Sequence, residues 1–179
     1  MGKTGYIRVL LPRLVPAVIL FASLVFFSCD FLLPIEIDFD TETFSREWAA
    51  WEEQGIVNYT VLEGAGSPGG VYTYITVRDN TIIDDDLPED KWSKRYLLKT
   101  ISEIYTYVNQ RYENALERIE AEKGKSGGLR GIEIKVTYNS EFHYPEYIYI
   151  SVSYYESNVV GRMAQIFNLS EFTPLASAE

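Results

Sequence analysis

Fifteen consecutive residues, Leu14 to Ser28, carry no charge, and the basic residues Lys3, Arg8 and Arg13 stand ahead of them. That is the charged start and apolar stretch of a secretory signal peptide, a segment that is removed or anchored rather than folded. As a helix it would rise about 22 Å, against the roughly 30 Å of hydrocarbon that a spanning helix must cross. Export is therefore expected, and residues 1–28 are set aside from the fold. The whole chain has 16 basic and 26 acidic residues, a net charge of −10. Since the three leading cations go with the signal, the remaining 151 residues carry thirteen basic and 26 acidic residues. Phosphates would be repelled by such a surface, which excludes a nucleic-acid groove or a polybasic membrane patch.

Cys29 is the only cysteine and follows the apolar run directly, behind the small residue Ser28. In that position it resembles the lipid-modified cysteine of a bacterial lipoprotein signal, where a thioether to diacylglycerol tethers the mature chain. Phe26 and Phe27 stand at two positions where the usual motif has a leucine or a small residue. The resemblance implies an address in the bacterial cell envelope, on the inner or outer membrane. A lone cysteine permits no internal disulfide, so stability has to come from packing. About 150 residues bury roughly two thirds of their unfolded surface, enough for one core. The expected organisation is a signal peptide at 1–28, a tether at 29–42, a single domain at 43–173 and a frayed tail at 174–179.

Within that domain the apolar pattern changes period several times. Phe44, Trp48 and Trp51 recur at helical spacing behind Thr43 or Ser45 as cap, and Gly55 stands where a left-handed stop is wanted. Val57, Tyr59 and Val61 then alternate with more polar neighbours, as do Tyr72, Tyr74 and Thr76 with theirs, and Asp79-Asn80 makes a tight turn into Thr81–Ile83. Thr100 and Glu103 form a capping-box pattern ahead of a long amphipathic run through Ile101, Tyr105, Val108, Tyr112, Ala115 and Ile119. Past the glycines of residues 124–131, Ile132, Ile134, Val136 and Tyr138 point one way while Glu133, Lys135 and Thr137 point the other. One wet and one dry sheet face follow from this alternation. The expected fold is α+β: an antiparallel sheet of about five strands, packed on one face by an N-terminal helix and a long central helix.

The order of a Trp-bearing helix, a Tyr-bearing strand and a Thr-led central helix is followed by Val136-Thr137-Tyr138-Asn139, then Phe142-His143-Tyr144-Pro145 and Ile148. This arrangement resembles an uncharacterised family of small secreted bacterial lipoproteins, whose signature is a strand, a Tyr-Gly-Tyr-Pro turn and an Ile-rich strand. The likeness covers most of Trp48 to Phe172, with Phe-His-Tyr-Pro in place of the family turn. It implies that Met163 to Phe172 is a strand rather than a helix. It implies no activity.

Candidate chemistry is sparse. His143 is the only histidine, and a catalytic or zinc site needs convergent partners. Asp84, Asp85, Asp86, Glu89 and Asp90 are acidic, yet they lack the alternating ligands, turn glycine and terminal glutamate of a calcium loop. No nucleophile elbow, phosphate loop or dinucleotide fingerprint occurs. No catalytic residue, metal or cofactor is therefore assigned. Tyrosine is the one excess, with 14 in the chain. Tyr144, Tyr147 and Tyr149 are the candidate binding residues, since such rings give large contact area at low entropy cost. The expected function is a non-enzymatic, membrane-anchored binding module for a protein, peptide or glycan. The alternatives are an antagonist of an exported enzyme, and a hydrolase combining the loop carboxylates with His143.

Overall fold

The computed structural model describes residues 34–65, 71–85, 87, 98–155 and 163–176. The chain divides into two units, Met1–Pro34 and Ile35–Glu179, and every element named below lies in the second. Cys29, the signal stretch, Asp86, Glu89 and Asp90 lie outside the described residues.

The elements run β1 (Glu36–Asp38), α1 (Thr41–Gln54), β2 (Tyr59–Ala65), β3 (Val71–Arg78), β4 (Thr81–Asp85), α2 (Ile101–Glu122), β5 (Leu129–Tyr138), β6 (Pro145–Tyr154) and β7 (Met163–Pro174). They form one seven-stranded sheet in the order β1-β5-β6-β7-β2-β3-β4. Two antiparallel meanders, β2-β3-β4 and β5-β6-β7, are joined where β7 pairs antiparallel with β2. At the 22 residues of α2, a rise of about 33 Å is enough to carry the chain back across the sheet to β5.

The α+β class and the two-helix layer stand, while the expected sheet of about five antiparallel strands is corrected to seven strands in a mixed sheet. The parallel member is β1, which pairs Glu36, Ile37 and Asp38 with Gly131, Ile132 and Glu133. Three residues are too few to display a period. β1 fits because residue 131 is glycine: a Cβ there would collide with the carbonyl oxygen of Glu36. The tether expected over 29–42 accordingly gives way from Ile35 onward. Ile35 and Phe39 pack against the core, and Phe39 meets the rings of Phe44 and Tyr112 at 5.1 and 5.0 Å. Asp40, not Thr43 or Ser45, caps α1, its Oδ1 accepting the Thr43 N–H at 2.9 Å. The tail expected from residue 174 is also shorter: Pro174 ends β7, and the Leu175 N–H donates to the Asn58 carbonyl at 2.9 Å.

The remaining signals produce the elements they describe. Gly55 closes α1 at φ 61, and Asp79 and Asn80 both take positive φ, as the two-residue β3–β4 hairpin requires. Both halves of the Thr100–Glu103 capping box are made. Three further donors at the start of α2 find buried side-chain acceptors on β2. Ile101 N–H donates to the Tyr59 hydroxyl at 2.8 Å, and Leu98 and Lys99 N–H donate to Glu63 Oε2 at 3.0 and 3.4 Å. Helix starts leave such donors orphaned, so β2 and α2 are locked together by polar bonds inside an apolar layer.

The core lies between the helices and one sheet face. Odd-numbered residues of β2 and β3 (Tyr59, Val61, Ile75, Val77) and even-numbered residues of β5 and β6 (Ile132, Ile134, Ile148, Ile150) are buried there with Phe44, Trp51, Tyr105 and Val108. Trp48 stacks on Tyr105 at 5.6 Å, and Tyr105 on Tyr138 at 6.5 Å, so one aromatic column links α1, α2 and β5.

Candidate binding face

The tyrosine residues separate by parity. On β6, residues 148, 150 and 152 face the helices, so Tyr147 and Tyr149 face the other side, where both are half-buried. Tyr144 has the opposite parity and lies in the turn before β6. It is only 4% exposed, packed on the Phe172 ring at 4.9 Å, and burial raises its phenol pKa. Tyr144 is thus a core residue and leaves the candidate set. Tyr72 and Tyr74 on β3 join it instead, 54% and 45% exposed, on the same side as Tyr147 and Tyr149. Their alternation is visible in the sequence, but nothing local says which side of β3 the helices cover.

Strand pairing fixes how these rings relate. Tyr147 is opposite Asn168, Asn168 opposite Gly64, and Gly64 opposite Tyr72, so a single row crosses β6, β7, β2 and β3 with a tyrosine at each end. Three strand spacings separate the two ends, roughly 14 Å. The Tyr72 ring lies over Gly64 so closely that a Cβ there would overlap it. The ring thereby fills the space of the missing side chain. Alongside, Tyr149 is opposite Ile166, and Tyr74 opposite Leu62, with the Tyr74 hydroxyl donating to Glu171. Glu171 and Phe172 together oppose Val61 in a β-bulge, which sends Phe172 into the core and Glu171, at φ 53, to the outside. Among the described residues no helix covers this face.

His143 has a structural setting. It sits at φ 59 in a turn pinned by Asn139, whose Oδ1 accepts the N–H groups of Glu141 and Phe142 at 3.0 and 2.8 Å. Its carbonyl accepts the Tyr105 hydroxyl, and its Nδ1 meets Glu47 Oε2 at 2.7 Å. This hydrogen bond, with a second from Arg46, holds the Glu47 carboxyl below the usual glutamate range. With Glu47 ionised, Nδ1 is the donor, and the pair ties the β5–β6 turn to α1. The carboxylate that reaches His143 is Glu47 of α1. Asp84 is exposed on β4, and Asp85 Oδ1 accepts the Leu87 N–H at 3.0 Å. Among the described residues no group of three His, Cys, Asp or Glu side chains is placed to hold a metal ion.

Glu63 is the ionisable residue that sequence reasoning passed over. It continues the buried Tyr59–Val61 series and is 0% exposed. Its Oε2 accepts two N–H groups while Oε1 has no partner, and burial pushes its pKa up to about 7. The signal was a glutamate on the dry parity of a strand. Its bonds go to the start of α2, so it belongs to the scaffold and not to the tyrosine face.

No family model, curated protein or solved structure matches this chain.

Proposed function

We propose that this chain is a lipoprotein of the bacterial cell envelope, anchored through a lipid on Cys29, whose domain is a non-enzymatic binding module. The observation that carries the binding reading is the sheet face that no described helix covers, with Tyr72, Tyr74, Tyr147 and Tyr149 on it. Tyrosine combines a broad apolar ring with a polar tip and loses little side-chain entropy on contact, which suits a face that is solvated when free and covered when bound. The partner is a protein, a peptide or a glycan of the envelope. Nucleic acid is disfavoured by the excess of carboxylates.

Two experiments test this reading. For the anchor, Cys29→Ala should move the protein from the membrane to the soluble fraction, and mass spectrometry of the wild type should find acylated Cys29. Unchanged partition would remove the anchor. For the face, capture from solubilised membranes with the wild type and with a Tyr147→Ala, Tyr149→Ala double variant should recover a partner that the variant loses. Identical captured sets from two equally folded proteins would end the case for those rings.

A further inference from the structure

We infer that the tyrosine face recognises a neutral polysaccharide, whose sugar rings stack on Tyr147 and Tyr72 while Asn168, between them, hydrogen-bonds the hydroxyls. This deepens the binding reading above and rests on it.

Charge distribution comes first. In a chain where 23% of residues are charged, the side chains that β6, β7, β2 and β3 turn outward from Tyr147 across to Thr76 are aromatic, hydroxyl, amide or aliphatic. One carboxylate reaches this band, Glu171 at the bulge, and it accepts the Tyr74 hydroxyl. At the end of β3, Arg78 donates to the Ala176 carbonyl at 2.9 Å. The charges lie on the flanks: Glu36, Asp38, Glu133 and Lys135 on β1 and β5, with Lys135 opposite Tyr149 and ion-paired to Glu133, and Asp84 on β4. A charge covered by a neutral ligand loses its hydration without compensation. An uncharged band is what a neutral ligand needs, and on the flanks carboxylates outnumber the cations Lys135 and Arg130, both already ion-paired, which disfavours an anionic glycan or an anionic lipid headgroup.

Side-chain chemistry then separates a glycan from a protein partner. Protein interfaces concentrate energy in Trp, Tyr and Arg, and Ser and Thr are under-represented among their hot spots. This band has tyrosine but neither Trp nor Arg, and Ser170, Thr60, Thr76 and Asn168 fill much of the remainder. Pyranose rings present the complementary pattern, with a C–H face that stacks on an aromatic ring and a rim of hydroxyls that exchange hydrogen bonds with hydroxyl and amide groups. The Tyr72 ring, packed over Gly64 and 54% exposed, is held in place against the sheet while keeping surface open for stacking. The row Tyr147–Asn168–Gly64–Tyr72 thus provides two platforms with an amide between them, a spacing that suits an extended chain of sugars better than a single one.

The test is co-sedimentation of the full chain in detergent with insoluble cellulose, chitin and amylose, at low and at molar salt, with carboxymethyl-cellulose as the anionic control. Retention on at least one neutral polymer is expected, unchanged by salt, and weakened about tenfold or more by Tyr147→Ala or Tyr72→Ala. Tyr147→Phe and Tyr72→Phe, which keep the platforms, should retain binding, and thermal melts check that each variant is folded. Absence of retention on every neutral polymer, or retention that molar salt abolishes, overturns the inference. If the capture experiment still yields a tyrosine-dependent protein, the face is a protein-binding surface and only the glycan assignment has failed. If capture also yields nothing, both readings fall.

Discussion

The two faces of the sheet use aromatic residues in opposite ways. On the helix side, Trp48, Trp51, Tyr59, Tyr105 and Phe172 interlock edge-to-face or stacked, and the tyrosine hydroxyls at 59 and 105 are spent on backbone partners. On the open side, Tyr72, Tyr74, Tyr147 and Tyr149 stand in cross-strand rows with Gly64, Leu62, Asn168 and Ile166, and no described helix lies over them. The same residue type is therefore structural on one side and available on the other. What distinguishes the roles is the neighbour opposite: an α-helix or solvent.

The sharpest way to break this contrast is to truncate one ring on each side. Trp51, 2% exposed and in contact with Tyr59 and Phe172, should cost about 3–5 kcal/mol as Trp51→Ala, read as a lowered urea midpoint at unchanged slope. A cost below about 1 kcal/mol would mean that the helix layer is not packed as described.

Next in size is the buried carboxyl of Glu63. Its folded-state value, about 7, lies above the ordinary 4.5, so the folded protein holds that proton more tightly than the unfolded chain does. The resulting stability is complete below the unfolded value and is lost as pH rises through about 7. At about 1.4 kcal/mol per pH unit the loss approaches about 3 kcal/mol. The charges of Lys99 and Glu103 act on this carboxyl in opposite directions. Urea melts of the wild type should therefore show falling stability from pH 5 to pH 8, and Glu63→Gln should flatten that slope. A wild-type slope that survives in the variant would assign the titration elsewhere.

Thr100→Ala removes one half of the α2 capping box and should cost about 1 kcal/mol, measurable in the same melts. The smallest effect belongs to the open face. Tyr149→Ser should change stability by about 1 kcal/mol, because the half-buried ring lies on the face that no described helix covers. A loss comparable with that of Trp51→Ala would show that the tyrosines are structural and would erase the distinction between the faces.

Much of this architecture was legible from periodicity alone. The dry parity of β5, the amphipathic face of α2, the Thr100–Glu103 box and the Asp79-Asn80 turn are local patterns, and local physics is enough to produce them. The strand expected over Met163 to Phe172 rested on a resemblance and not on periodicity, and it runs on to Pro174. What escaped was non-local. β1 is three residues long and exists because a glycine ninety-five positions from Glu36 leaves room for it. The exposed side of β3 depends on which face α1 and α2 choose. Tyr144 was a different case: strict counting by twos from Ile148 and Ile150 places it on the dry side, and proximity to Tyr147 and Tyr149 was the weaker guide.

The last strand in the sequence occupies the middle of the sheet, with three strands on either side. The first meander, β2-β3-β4, precedes β7 in the sequence by more than seventy residues, so its β2 edge has no neighbour until residues 163–174 have been made. Completion of the domain is thus tied to delivery of its final segment. A product truncated before residue 163 would leave two half-sheets with unpaired edges at β6 and β2, each a template for pairing with another chain.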